Sequence, residues 1–248
     1  MPRSVKEGSL RVGGRTVQVS SVGKPFFPDA GLTKGDLLAY YRDVAEVMLP
    51  HLAGRPLNLQ RFPNGVHGKG FWQQGAADHF PDWVRTVTVE RRGRGGTVDH
   101  VVCEDAATIV YLANLATVTF HAWTSTVEHL ARPDLVIVDL DPDPDRLSVE
   151  WRKASRDGRL LLDTARNGYA QTVVAPYSVR PKPEAPVATP IDWDELGRVE
   201  PRSYTLTNLR RRLARKPDPW AAMADLAGSF DPARARLDEL LTEAGGRR

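Results

Sequence analysis

Three aspartates are the residues best placed for chemistry. The segment Leu135-Val136-Ile137-Val138-Asp139-Leu140-Asp141-Pro142 sets two carboxylates two residues apart, directly after an apolar run. Side chains at i and i+2 of a strand share one face, so Asp139 and Asp141 read as neighbours at the end of a buried strand. Two such charges repel and raise one another's pKa unless a cation lies between them. Hard oxygen ligands suit Mg²⁺ or Mn²⁺, ions that commonly bridge carboxylates to phosphates. A third carboxylate, Asp163, closes a second short apolar run, Leu160-Leu161-Leu162. Three aspartates at strand ends meet the needs of a two-metal phosphoryl-transfer site. Alone, Asp-x-Asp before a proline is a weak signal, because aspartate at a strand end often merely starts a turn.

These residues need a scaffold, and the periodicities supply one. Leu10–Val12 and Thr16–Val19 alternate around Gly13-Gly14, which predicts a β-hairpin. Residues 26–31 read as a loop, after which Thr33 caps a helix carrying Leu37, Leu38, Tyr41, Val44, Ala45 and Met48 at helical spacing. Strands are predicted at 57–62, 84–89, 101–103, 118–121, 135–138, 160–162 and 172–175. A glycine-rich loop spans 63–70, a glycine-arginine turn spans 91–96, and helices are predicted at 106–116 and 147–156. Residues 176–190 hold five prolines and read as an extended arm over the surface. The tail, 204–244, reads as mainly helical. No repeat or linker breaks the chain, so the expectation is one α+β domain over 1–248.

Composition sets wide limits. The 248 residues are 41% hydrophobic and 26% charged, ordinary for a globular protein. No apolar run reaches the roughly 18 residues of a membrane span, and the opening MPRSVKEGSL lacks the core of a secretory signal. With a single cysteine, Cys103, neither an internal disulfide nor a cysteine-based zinc site is available. A cytoplasmic protein with no membrane partner is the expectation. The formal charge of +3 permits nucleic-acid binding without arguing for it.

Five blocks, in order, carry a more specific signal. They are Leu49-Pro50-His51-Leu52-Ala53-Gly54-Arg55-Pro56-Leu57-Asn58-Leu59-Gln60-Arg61-Phe62-Pro63-Asn64-Gly65, then Gly70-Phe71-Trp72-Gln73 and Pro81-Asp82-Trp83-Val84. Val138-Asp139-Leu140-Asp141-Pro142 and Val174-Ala175-Pro176-Tyr177-Ser178-Val179-Arg180 complete the set. Together they resemble the polymerase (primase-polymerase) domain of bacterial DNA ligase D, of the archaeo-eukaryotic primase superfamily, from about Lys24 to about Trp220. The resemblance implies a primase-polymerase fold with an RRM-like palm sheet flanked by helices. It also implies template-directed nucleotide addition at DNA ends during non-homologous end joining, with Mn²⁺ or Mg²⁺ as cofactor. Asp139, Asp141 and Asp163 fall on the family's metal-binding aspartates. By the same resemblance His121 contacts the incoming nucleoside triphosphate, and Arg180 binds its phosphates, with Arg166 on the same strand-end segment. Lys24 and Lys34 match the lysines that hold the 5′-phosphate of the downstream strand, as mobile point charges. Lys34 also lies in the first turn of a helix, whose positive end favours anions. Phe71 and Trp72 match aromatics that stack beside the template, and their glycine neighbours point to an exposed loop; Arg61 joins them as a DNA-binding residue.

One block is missing. The resemblance leads one to expect a Ser-Gly-x-x-Gly-x-His hairpin between Asp141 and Asp163, gripping the triphosphate. All six histidines, at 51, 67, 79, 100, 121 and 129, precede Asp139. Residues 152–159 look like the family's helix before the third aspartate, so the cut falls within 143–150 and shortens the palm. Gln74 also stands where a lysine is common. The expected layout is an N-terminal DNA-contacting part at 1–134, a shortened palm at 135–180, and the arm and tail at 181–248. Three readings stay open: a working polymerase with a reduced nucleotide pocket, a non-catalytic DNA-end binding module, or a decaying paralogue. With no ligase or nuclease segment in the chain, sealing is expected from a separate ATP-dependent ligase, alongside an end-binding protein.

Overall fold

The computed structural model describes residues 5–92, 95–141, 147–148, 160–163 and 167–245. The chain opens with the expected hairpin, β1 (Gly8–Val12) and β2 (Arg15–Val19), turned by Gly13 and Gly14 at φ 53° and 80°. Both angles lie in the left-handed region, where glycine alone is unstrained. A short ribbon, β3 (Pro25–Phe27) and β4 (Leu32–Thr33), leads into helix α1 (Lys34–Met48). Thr33 caps α1 in a reciprocal box: its hydroxyl accepts from the Asp36 N–H, and Asp36 accepts from the Thr33 N–H at 2.8 Å.

The central sheet is antiparallel and four-stranded. Its order is β13 (Thr172–Val174), β9 (Thr117–Trp123), β5 (Leu57–Arg61) and β6 (Phe71–Gln73). Leu57 and Leu59 alternate with Asn58 and Gln60, so β5 has one apolar and one polar face. The apolar face, with Val118, Phe120 and Ala122 of β9, joins the core that also takes in α1 and α2 (Ala106–Asn114). The Tyr41 ring lies edge-on to Phe120 at 5.0 Å, and its hydroxyl donates to Val118 O and accepts from Val179 N–H. A hairpin of β7 (Thr86–Glu90) and β8 (Thr97–Val101) bridges to the sheet edge through Gly75 and His100. Separately, β10 (Asp139–Asp141), β12 (Leu160–Asp163) and β11 (Leu147–Ser148) form a three-stranded sheet in that order. Short helices α3 (Leu209–Leu213) and α4 (Asp231–Gly245) close the chain.

Several expectations need correction. Residues 135–138 are not a buried strand: Val136 and Val138 are 54% and 62% exposed. The amide of Asn167 takes both backbone groups of Ile137, donating to its carbonyl and accepting from its N–H, so pairing begins only at Asp139. Leu147 and Ser148 start no helix but form β11, parallel to β12, while β10 runs antiparallel to β12. The rest of 147–156 lies outside the described residues. The proline-rich stretch is no surface arm. Tyr177, Val179, Ala185 and Val187 are buried, and the segment folds back on itself through a Val179–Val187 bridge. Its amides find carbonyls within that fold, Tyr177 N–H on Ala188 O and Arg180 N–H on Pro186 O. The tail 204–244 is mainly helical as expected, through α3, α4 and a 3-10 segment at Met223–Leu226. Phe71 and Trp72 lie on edge strand β6 and not in a loop, although both are exposed as expected.

Candidate active site

The aspartates meet through backbone register. In the antiparallel β10–β12 pair Asp139 is the direct partner of Asp163, and Asp141 is that of Leu161. Directly opposed residues of an antiparallel ladder lie on one side of the sheet, as do residues two apart on one strand. Asp139, Asp141 and Asp163 therefore belong to a single face of a three-stranded sheet. Arg166, expected beside them, lies outside the described residues.

A second group gathers on the polar face of the central sheet. Register sets Trp72 opposite Gln60, and Asn58 opposite His121, all on the face away from the core. Trp72 is 53% exposed and presents its ring edge-on to the His121 imidazole, with centroids 4.7 Å apart. Phe71, one residue earlier, is turned to the opposite face with its partner Arg61. The Arg61 guanidinium sits 5.3 Å from the Phe71 ring and donates to Leu115 O and Gln73 Oε1. Consecutive strand residues cannot share a face, so the two aromatics form no paired platform; Trp72 alone stands with His121. Arg180 is exposed at the turn between the two strands of the Val179–Val187 bridge.

The two lysines also converge. Lys34 N–H donates to Lys24 O, and Gly35 N–H donates to Val22 O, which ties the start of α1 to the preceding turn. A side chain at Gly35 would meet Val22 O at 3.0 Å, so the close approach favours glycine. The Lys34 ammonium is buried and donates to Ser20 O at 2.7 Å. Lys24 Nζ donates to Pro63 O at 2.6 Å and to Asn64 Oδ1 at 3.2 Å. Both amines are therefore held in place, not the mobile charges expected, with donors left over because an ammonium carries three. Burial pushes the Lys34 pKa below its ordinary value; Glu7 opposes that shift and Lys24 adds to it. A charge held at a cost beside a like charge and a helix N-terminus favours an anion.

Among residues with described side chains, Asp192, Asp194 and Glu195 lie close enough to share an ion. They are not the predicted triad. Lys216 contacts Asp192 and Glu195 at 2.5 and 3.0 Å, and Arg212 contacts Glu195 at 2.9 Å, so cationic side chains already balance them. What residue reading missed lies beside Trp72: Asn58, His100, Trp123 and Tyr169 line a cleft with Gln74. The signal was present in β5, where Asn58 and Gln60 interrupt the leucines on every second position.

The described residues thus bring together three aspartates on one ladder, two anchored lysines at the start of α1, and an exposed Trp72 against His121. Comparison with known proteins gives the family. The model of the LigD primase-polymerase domain matches residues 33–147 and 143–220, and the chain belongs to that family. The two matched stretches meet where the expected hairpin block is missing. The chain is 23% identical to the multifunctional non-homologous end joining protein LigD of Mycolicibacterium smegmatis, over 90% of this chain and 38% of that protein. The alignment runs to 293 positions, more than the whole chain, so the relative carries residues that have no counterpart here. The bifunctional LigD of Bacillus subtilis is 32% identical over 60% of this chain and 23% of its own length. The chain thus spans well under half of these relatives. Among solved structures, the polymerase domain of Mycobacterium tuberculosis ligase D in complex with DNA superposes with a TM-score of 0.73 at 23% identity. That match covers 86% of this chain and 99% of the other, and it bears out the expected fold.

Among the described residues no helix is long and apolar enough to cross a membrane.

Proposed function

We propose that this chain acts at DNA ends in non-homologous end joining, adding nucleotides to a primer strand under the direction of a template. The observation that carries this reading is the register pairing Asp139 with Asp163, with Asp141 on the same face. Three hard-oxygen donors on one face fit Mn²⁺ or Mg²⁺, and Asp139, Asp141 and Asp163 would hold the ions. When bound, such ions neutralise charge that develops during phosphoryl transfer. His121, Arg166 and Arg180 serve the triphosphate of the incoming nucleotide. Trp72, with Arg61 and Phe71 on the reverse of the same edge, meets the template, and Lys24 with Lys34 takes the downstream 5′-phosphate. The whole chain works as one domain, beside a separate ATP-dependent ligase and an end-binding protein.

A second reading, a DNA-end binding module without catalysis, is favoured by one observation: the family match breaks at 143–147, where the triphosphate-gripping block is expected. Primer extension on a gapped duplex with a phosphorylated downstream 5′ end, in Mn²⁺, separates the two. Extension that disappears in Asp139→Ala/Asp141→Ala supports the polymerase. End binding without extension in the parent protein overturns it in favour of the module.

A further inference from the structure

Beyond Trp72, the open face of the central sheet runs into a cleft of about 560 Å³ under the β7–β8 hairpin. That volume lies within the range of sites for single small ligands, about 300–1,000 Å³. It is lined by Trp123, 2% exposed, whose indole N–H has no hydrogen-bond partner among the described residues. Asn58, which also lines the cleft, has a buried Oδ1 that is likewise unpartnered among them. Buried polar atoms are nearly always paired, so an unmet donor and an unmet acceptor in one cleft point to a ligand offering both.

The walls narrow the choice. Tyr169 stands edge-on to Trp123 at 5.6 Å, its hydroxyl donating to Glu90 O, and His100 flanks Trp123 at 5.2 Å. The Arg92 guanidinium covers the Tyr169 ring at 3.6 Å, and Arg91 joins it at the hairpin end of the cleft. A flat, polar-edged ligand with an attached anion matches this lining: its edge offers an acceptor and a donor to Trp123 and Asn58, and its anion meets the arginines. A nucleobase on its phosphate backbone has all three.

We propose that this cleft holds one unpaired nucleobase of a DNA strand, separate from the base at Trp72. The proposal rests on the DNA-end reading above and extends it: β5 and β9 present two base sites side by side, one at Trp72–His121 and one at Asn58–Trp123. A strand running over this face would be gripped at two positions, with Arg91 and Arg92 beside the second.

The test is an abasic scan. A duplex with a six-nucleotide 3′ overhang is titrated by fluorescence anisotropy, each overhang base being replaced in turn by an abasic residue. Two sensitive positions are expected, each costing on the order of tenfold in Kd. Trp72→Ala should erase one. Trp123→Phe and Asn58→Leu should each reduce the other to roughly threefold or less, leaving the first intact. The scan on the parent protein needs no variant, so a fold weakened by Trp123→Phe does not spoil it. A single sensitive position, the one governed by Trp72, overturns the cleft while the DNA-end reading stands. Loss of the second sensitivity in millimolar free nucleoside triphosphate would assign the cleft to a free nucleotide and overturn the strand base. Absence of binding to any DNA end removes the reading beneath and the cleft with it.

Discussion

Lys34→Met tests whether the buried lysine is a phosphate ligand or a strut. Methionine keeps the aliphatic stem that packs at the start of α1 and removes the ammonium. The lost bond to Ser20 O is charge-assisted and worth about 1.5–3 kcal/mol. Against it stands the relief of a buried charge close to Lys24. The two effects oppose, so the net change should stay below about 1.5 kcal/mol, or under roughly 6 °C in melting temperature for a domain of this size. Binding should respond far more. Loss of one charge-assisted contact to phosphate, again about 1.5–3 kcal/mol, should cut the preference for a 5′-phosphorylated over a 5′-hydroxyl gapped duplex by at least about tenfold. Anisotropy titration of the two duplexes measures this directly. The pH dependence has a definite sign. The folded state releases the Lys34 proton below the ordinary lysine value of 10.5, whereas the unfolded chain keeps it up to that value. Folding is therefore penalised at neutral pH, and stability recovers as pH rises through the lowered value towards 10.5. The parent should show this alkaline gain relative to Lys34→Met. A variant that loses several kcal/mol of stability yet keeps full phosphate discrimination would refute the reasoning and make Lys34 a strut.

Thr33→Ala removes the hydroxyl half of the capping box and should cost about 1 kcal/mol in urea unfolding, with weaker 5′-phosphate discrimination because Lys34 is the next residue. Tyr41→Phe strands the buried Val118 carbonyl and Val179 N–H together and should cost at least about 2 kcal/mol by the same measurement; a neutral result would mean that the phenol is not the link between sheet and core. Millimolar Mn²⁺ should raise the melting temperature of the parent protein, by about 2.7 kcal/mol of stabilisation at a hundredfold excess over Kd. Asp139→Ala/Asp141→Ala should abolish that rise, and an unchanged parent melting curve in Mn²⁺ would show that the three aspartates do not act together.

Local signals with a unique geometric solution were legible in the residues. Gly13-Gly14 between alternating segments admits little besides a tight hairpin, and Thr33 before the apolar helical spacing marks the start of α1. The strand at 57–62 was legible too, though not the polar face that Asn58 and Gln60 give it. What escaped depends on partners distant in sequence. The apolar run 135–138 looks like a buried strand, yet Asn167 takes up the backbone groups of Ile137 and leaves the valines exposed. Prolines at 176–190 suggest an arm, but the residues between them are apolar enough to join the core. The separation of Phe71 from Trp72 follows only from strand pairing, which assigns the two rings to opposite faces. The lysines were singled out by the family resemblance, but not their anchoring to Ser20, Pro63 and Asn64, which is a product of tertiary packing.

The two halves of the candidate site rest on unequal foundations. Lys34, Trp72 and His121 stand on α1, β6 and β9, with Lys24 in the turn before β3, and the buried sides of α1 and β9 belong to one large apolar core. The carboxylates stand on a sheet whose strands are three, four and two residues long. Among the described residues this ladder is short, and short sheets are marginal in water. A ligand that binds only the assembled ladder adds its binding energy to that assembly, so ions and a triphosphate would do more for this sheet than for the central one. Under the proposed function, end binding would draw on the half with a core behind it, and nucleotide addition on the short ladder that bound ligands would help to assemble.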